Sequence, residues 1–383
     1  MRILYLHQFF VTRAGVGGTR SYEFARRFVA LGHEVRIVTA AGADGPGTSR
    51  VDGIEVVSVR GAYSDYVQAT SLSYPRRMLA FGRFALSATA AALRGPRPDV
   101  VYATSPPLTM ALPALLVAAA RRVPLVWEVR DLWPEAPIQM GALRNPLLRR
   151  AARFVERFVY RRATRLIALS PGIRDGMVAA GAPAGRVALV PNASDLDLFR
   201  PAEPPERFRV SYFGTMGEAN DLTAAVEAAR LLPDVEFLLV GDGKRRAELE
   251  RGAPPNVVFT GPVAGKEEVA GLAAGSSACL TLFKDVPVLA TNSPNKLFDT
   301  FAAGRPAIVN MDGWMRELVE ENEAGVYVRA GDARELADRI AWLREHPGEA
   351  ERMGRNARAL AEREFDRDEL AARALRVLEE AAR

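Results

Sequence analysis

The chain has 383 residues, of which 49% are hydrophobic, 8% aromatic and 25% charged, so a mainly disordered state is excluded and two or three domains are expected. One cysteine, Cys279, excludes a disulfide framework or a cysteine zinc site, and three scattered histidines (His7, His33, His346) have no metal-ligand spacing. The formal charge of +5 divides unevenly: residues 1–200 hold 27 basic and 14 acidic side chains, net +13, whereas residues 201–383 hold 24 and 32, net −8.

In chain order, Arg2–Leu6 reads as a strand that ends in a polar, glycine-containing loop. A helix with Phe24, Phe28 and Leu31 on one face follows, then a strand at EVRIVTA. The order continues with GIEVVSV, a helix near Arg76–Leu93, PDVVYATS, a helix from Pro107, VPLVWEVRD, a basic helix, RLIALS, a short helix and RVALVPN. The proline- and aspartate-rich stretch 191–206 reads as a linker, after which strand and helix alternate again from RVSYFGT to a helical tail. Apolar strands separated by helices imply parallel sheets covered on both faces. The predicted fold class is α/β, with two doubly wound domains at 1–192 and 207–365, a linker at 193–206, and a C-terminal helix at 366–383 that packs back on the first domain.

The opening MRILYLHQFF lacks the features of a signal peptide. The longest apolar run, Leu108–Ala120, has 13 residues and contains Pro113. A spanning helix needs about 20. A cytoplasmic protein is expected, one able to touch a membrane surface.

In open parallel sheets ligands bind beyond the carboxyl ends of the strands, and four loops there stand out. The first, Ala14–Arg20, has Gly15, Gly17 and Gly18 before a helix and so offers backbone N–H groups to an anion, with Arg20 as a direct charge. It lacks the third glycine of a dinucleotide fingerprint and the Lys-Ser/Thr of a phosphate-binding P-loop. The second is Gly241-Asp242-Gly243, a turn suited to positive φ. The third, Thr291–Asp299, places Ser293 as an N-cap and Lys296 at a helix start, with Asp299 one turn on. The fourth, Trp127–Glu135, packs two tryptophans, three carboxylates and an arginine at a strand end, with Glu128 and Arg130 on one face and Asp131 at its mouth.

Together with LGHEV at 31–35, SPPL at 105–108, DLWPE at 131–135, PNASDLDLF at 191–199, VVFTGPV at 257–263 and SPNKLFDTFAAGRPAI at 293–308, these loops resemble a glycosyltransferase of the two-Rossmann GT-B fold, similar to glycosyltransferase family 4. DLWPE, SPPL and SPNKLFD resemble the bacterial branch that transfers hexosamine-type sugars in O-antigen and capsule assembly. The resemblance implies retaining transfer from a nucleotide-sugar, UDP first, to an acceptor hydroxyl, with no cofactor and no metal. The leaving diphosphate is then neutralised by side chains and helix N-termini. Donor contacts are expected from Gly17, Gly18, Arg20, Gly214, Thr215, Asn220, Gly241, Val263, Thr291, Ser293, Asn295, Lys296, Leu297 and Asp299, with Asp299 on the ribose and backbone near Val263 on the base. Asp131 is expected to orient the acceptor or act as its base, with Glu128 and Arg130 shaping that pocket and His7, Ser105 and Trp133 on the acceptor side.

There are three departures from the family. Thr291 and Asp299 stand where two glutamates are usual, and Thr215 and Asn220 stand where the first loop of the second domain usually has Arg and Lys. The sugar-side histidine usual in the first domain is absent, and Arg130 and Asp131 occupy that strand end. More of the diphosphate's charge therefore falls to Lys296 and Arg20.

From Arg144 to Arg165 there are eight arginines and one acid, Glu156, with Leu147, Ala151, Phe154 and Phe158 at helical spacing. Such a helix either packs its apolar stripe in the domain or meets anionic lipid by charge; Arg76–Phe84 is a second basic segment. A lipid-diphosphate-linked acceptor is preferred, a small soluble acceptor is the alternative, and nucleic acid is not expected. An epimerase of the same architecture is the remaining enzymatic reading.

Overall fold

A computed structural model describes residues 1–42, 45–61, 74–263 and 265–383. The first half contains β1 (Arg2–Leu6), α1 (Arg20–Ala30), β2 (Glu34–Ala40), β3 (Gly47–Val51), β4 (Ile54–Val59), α2 (Tyr74–Arg94), β5 (Val100–Ser105) and α3 (Ala111–Arg121). It continues with β6 (Leu125–Val129), α4 (Glu135–Gln139), α5 (Pro146–Arg162), β7 (Arg165–Ala168), α6 (Pro171–Ala179) and β8 (Val187–Leu189). These strands form one sheet in the order β3-β4-β2-β1-β5-β6-β7-β8, in which every pairing is parallel except β3 with β4. β5 and β6 are buried along their whole length, which is why they read as continuous apolar runs. The polar edge strand β3, GTSRV, is almost wholly exposed and carries no such signal, so the strand–helix reading passed over it.

The second half contains β9 (Arg209–Phe213), α7 (Leu222–Leu231), β10 (Glu236–Val240), α8 (Arg246–Gly252), β11 (Val257–Gly261), α9 (Lys266–Ala274) and β12 (Ala278–Thr281). After these come α10 (Asn295–Ala302), β13 (Ala307–Val309), α11 (Trp314–Glu321), β14 (Gly325–Tyr327), α12 (Ala333–Glu345), α13 (Pro347–Glu364) and α14 (Arg367–Ala382). The second sheet, β11-β10-β9-β12-β13-β14, is wholly parallel. Both sheets reverse strand order beside a central strand, at β1/β5 and at β9/β12. The loops leaving β1, β9 and β12 therefore diverge and open a crevice.

Two chain crossings join the halves. The linker predicted at 193–206 is not a loose tether at its start, because Ala193, Ser194 and Asp195 are buried. Ser194 bridges Asp366 in parallel: its N–H donates to the Phe365 carbonyl, and its own carbonyl accepts from Arg367 N–H. Each crossing thus satisfies backbone groups of the other. Beyond it, α14 packs on α1 and on β5, β6 and β7, while Phe365 packs at a tilt against Phe298 of α10 with ring centres 4.5 Å apart.

Candidate active site

The loops at both switch points line one cavity of about 910 Å³. The first half supplies Gly15, Gly17, Gly18, Arg130 and Asp131, and the second supplies Gly214, Thr215, Asn220, Gly241, Val263, Ser293, Asn295, Lys296 and Asp299. Close backbone approach explains some of these glycines. Gly241 has φ +135°, and a Cβ there would collide with the Gly214 carbonyl.

Lys296 stands in the first turn of α10. Its ammonium donates to the Tyr212 hydroxyl at 2.9 Å and to Asn220 Oδ1 at 3.2 Å, and lies 4.1 Å from the Tyr212 ring centre. Tyr212 and Asn220 in turn donate to the Thr215 carbonyl, both at 2.8 Å. The loop after β9, which lacks the family's two cations, therefore wraps a lysine brought from α10. Burial without a carboxylate beside it pushes the Lys296 ammonium down to about 7.

Arg130 is the cavity's cation from the first half. Its Nη1 donates to His7 Nε2 at 3.1 Å, and His7 Nδ1 meets Ser21 Oγ at 2.8 Å. Burial and then the neighbouring Arg130 hold His7 well below the usual histidine range, so the imidazole is neutral: Nε2 accepts and Nδ1–H donates. A Cβ built on Gly18 would sit 3.3 Å from Arg130 Nη2 and 3.5 Å from Asn295 Nδ2, so donors from both halves converge at this glycine. Among the described residues no carboxylate pairs with Arg130 or Lys296. Asp131 lines the cavity too; burial raises its carboxyl above the usual range and Arg130 opposes that.

Arg20 and Glu128 correct the sequence reading. Both are fully buried and lie outside the cavity lining. Arg20 donates to Glu128 Oε2 at 2.9 and 3.1 Å and to the carbonyls of Val190 and Pro191, while Tyr102 and Thr104 complete the carboxylate's shell. Burial alone would raise Glu128, but Arg20 outweighs it and the carboxyl ends below its ordinary range. A guanidinium taken out of water needs such a partner. Neither Arg20 nor Glu128 therefore faces the cavity in which the sequence reading put a phosphate ligand and an acceptor-pocket wall.

Other expected contacts also lie outside the lining. Ser105 is buried beneath it, its carbonyl accepting from Arg130 N–H, and Trp133 packs against the core of the first half. His7 acts behind Arg130. Thr291 donates to the Val288 carbonyl, and Leu297 is a buried core side chain. Ser293 caps no helix: its Oγ accepts from Asn192 N–H at 3.1 Å and so ties the end of the first domain to the α10 loop.

Asp299 has company that its motif did not announce. Lys266 Nζ donates to Oδ2 and Ser194 Oγ to Oδ1, each at 2.8 Å, and Lys266 also lines the cavity. The backbone N–H of Lys266 donates to the Arg13 carbonyl, which closes the first loop onto the second half. Its only sequence signal was scarcity, since the chain has four lysines.

Residues 16–193 match the family described as Glycosyl transferase 4-like domain, and residues 207–346 match Glycosyl transferases group 1. A 232-residue stretch is 27% identical to alpha-D-kanosaminyltransferase of Streptomyces kanamyceticus, covering 55% of this chain and 58% of that relative's length. Sucrose-phosphate synthase from Thermosynechococcus elongatus superposes with a TM-score of 0.79 at 18% identity, over 99% of this chain and 98% of that one. Anabaena HepE in complex with UDP-glucose gives 0.74 at 20% identity, over 99% and 100%. The first half thus matches a glycosyl transferase 4-like domain, the second half matches a glycosyl transferases group 1 domain, and the whole chain has the two-sheet GT-B architecture of these solved structures.

Proposed function

We propose that the cavity binds a nucleoside-diphosphate sugar, a UDP-sugar first, and that the chain transfers its glycosyl group to an acceptor hydroxyl with retention and without a divalent cation. The observation that carries this is the pair of cations without carboxylate partners, Lys296 and Arg130, facing one cavity from opposite halves. Desolvated cations aimed at developing phosphate charge stabilise the departing diphosphate more than the bound donor. Asp299 with Lys266 suits the ribose, because each carboxylate oxygen keeps a lone pair for a hydroxyl beside its present bond. The base lies against the backbone near Val263.

In the transfer, the bond from the anomeric carbon to the phosphate oxygen breaks while the acceptor oxygen bonds to that carbon from the same face. The acceptor's proton passes to the departing oxygen, and Asp131 orients the attacking hydroxyl. A hexose or N-acetylhexosamine-type sugar and a lipid-diphosphate-linked glycan acceptor follow from the sugar-transferase motifs. A small soluble acceptor is the second reading, favoured by the likeness to a kanosaminyltransferase. Epimerisation is not favoured, since both matched families are glycosyl transferases.

Incubation with a panel of UDP-, GDP- and dTDP-sugars, followed by nucleoside diphosphate release and proton NMR of the freed sugar, tests this. Slow release from one class, with the donor's anomeric configuration kept in the first-formed sugar, is expected. Inverted product, or no release from any donor, contradicts it.

A further inference from the structure

We infer that the outward surface of α5, continued by α3 and α2, docks on an anionic lipid bilayer. The α5 helix meets the domain through Glu156, Val159, Tyr160 and Ala163, which are buried. The apolar stripe Leu147, Ala151, Phe154 and Phe158 lies on the opposite side, spaced i, i+4, i+7 and i+11, and faces solvent, with Leu147 72% and Phe154 68% exposed. The packing reading of this stripe is therefore corrected: the helix uses a different face for the core. Leu148 and Val155 extend the exposed stripe, and arginines 150, 157, 161 and 162 flank it in solvent.

The patch continues sideways. α3 packs between α2 and α5, exposing Leu112 and Leu116, and α2 exposes Leu79 and Leu86. Nine of the fourteen exposed large hydrophobic side chains of the described residues thus lie on these three neighbouring helices. Scattered exposed leucines need no explanation, but a cluster rimmed by charge marks an interaction face. Neither α2 nor α3 contains an acidic residue, and the one acid of α5, Glu156, is buried. The side chains of Arg77 and Met78 lie outside the described residues.

Charge selects the occupant. Two copies meeting through this face would set arginines against arginines with no exposed carboxylate on the three helices to answer them. Anionic headgroups supply the missing charge, while Phe154, Phe158 and Leu147 enter the acyl boundary. No helix among the described residues is long and apolar enough to cross a membrane, so attachment is peripheral.

The full chain is sedimented with sucrose-loaded vesicles, either phosphatidylcholine alone or with about one third phosphatidylglycerol, at low and high salt. Binding is expected only to the anionic vesicles and is expected to weaken with salt. A Phe154→Ser/Phe158→Ser variant and an Arg150→Glu/Arg161→Glu variant each lose roughly tenfold or more in partitioning. Both keep wild-type melting and UDP binding, because the altered side chains are exposed. Wild type that stays in the supernatant with anionic vesicles at low salt overturns the proposal, as does a serine variant that binds as well as wild type. Vesicle-independent dimers abolished by the serine pair would overturn it in favour of a second copy.

Discussion

Two arginines that the sequence placed in the site, Arg20 for the phosphate and Arg130 for the acceptor pocket, have opposite surroundings. Arg20 follows Gly17-Gly18-Thr19 and so resembles an anion ligand, but its partner Glu128 is 108 positions away and no local pattern reveals it. Arg130 sits beside a second cluster of charges, yet its guanidinium donates to the neutral His7 imidazole, and no carboxylate among the described residues forms an ion pair with it. The difference yields a paired prediction. Glu128→Gln strands a buried guanidinium and should lower stability by about 3–5 kcal/mol in chemical denaturation. Asp131→Asn should leave stability within about 1 kcal/mol of wild type and lower turnover by roughly a hundredfold. The reverse pattern would return Glu128 to the reacting side. Lys296 and Asp299 were legible from their motif, whereas the Lys266 contact was not, because it depends on how α9 lies against α10.

At the scale of elements, α1, the first crossing and α14 are held together by charge. Glu23 takes Arg13, Arg26 and Arg27, and Asp195 takes Arg13, Arg27 and Arg367. Burial would raise the Glu23 carboxyl, but hydrogen bonds from Arg13 and Arg26 overcome this and bring it to about 2. A carboxyl lowered from 4.5 to about 2 contributes stability that is fully present above 4.5 and is lost as pH falls toward 2. Glu23→Gln should therefore cost about 3 kcal/mol at neutral pH, and melting curves should show the gap to wild type narrowing below pH 4.5. A gap independent of pH would assign the loss to packing. Most strands were legible as apolar runs. The exposed β3 was not, and the apolar spacing of α5 could not say which face the domain uses.

Across the whole molecule, the division into +13 and −8 follows the two sheets closely. Family and architecture were legible because motif order survives over almost the whole chain. Substrate identity was not, because the sugar and acceptor meet side chains brought together from distant loops. On the proposed reading, the donor's diphosphate meets Lys296 of the acidic second half and Arg130 from across the cavity. Binding of a diphosphate should restore the Lys296 ammonium to its ordinary range, so affinity falls as pH rises above about 7 and protons are taken up on binding. The most direct test is calorimetric titration of UDP at pH 6.5 and 8.5 into wild type, Lys296→Met and Arg130→Met. Tenfold or greater weakening is expected in each variant at pH 6.5, with the wild-type proton uptake at pH 8.5 absent from Lys296→Met. Equal affinities in all three proteins, or a wild-type affinity flat across this range, would contradict the account.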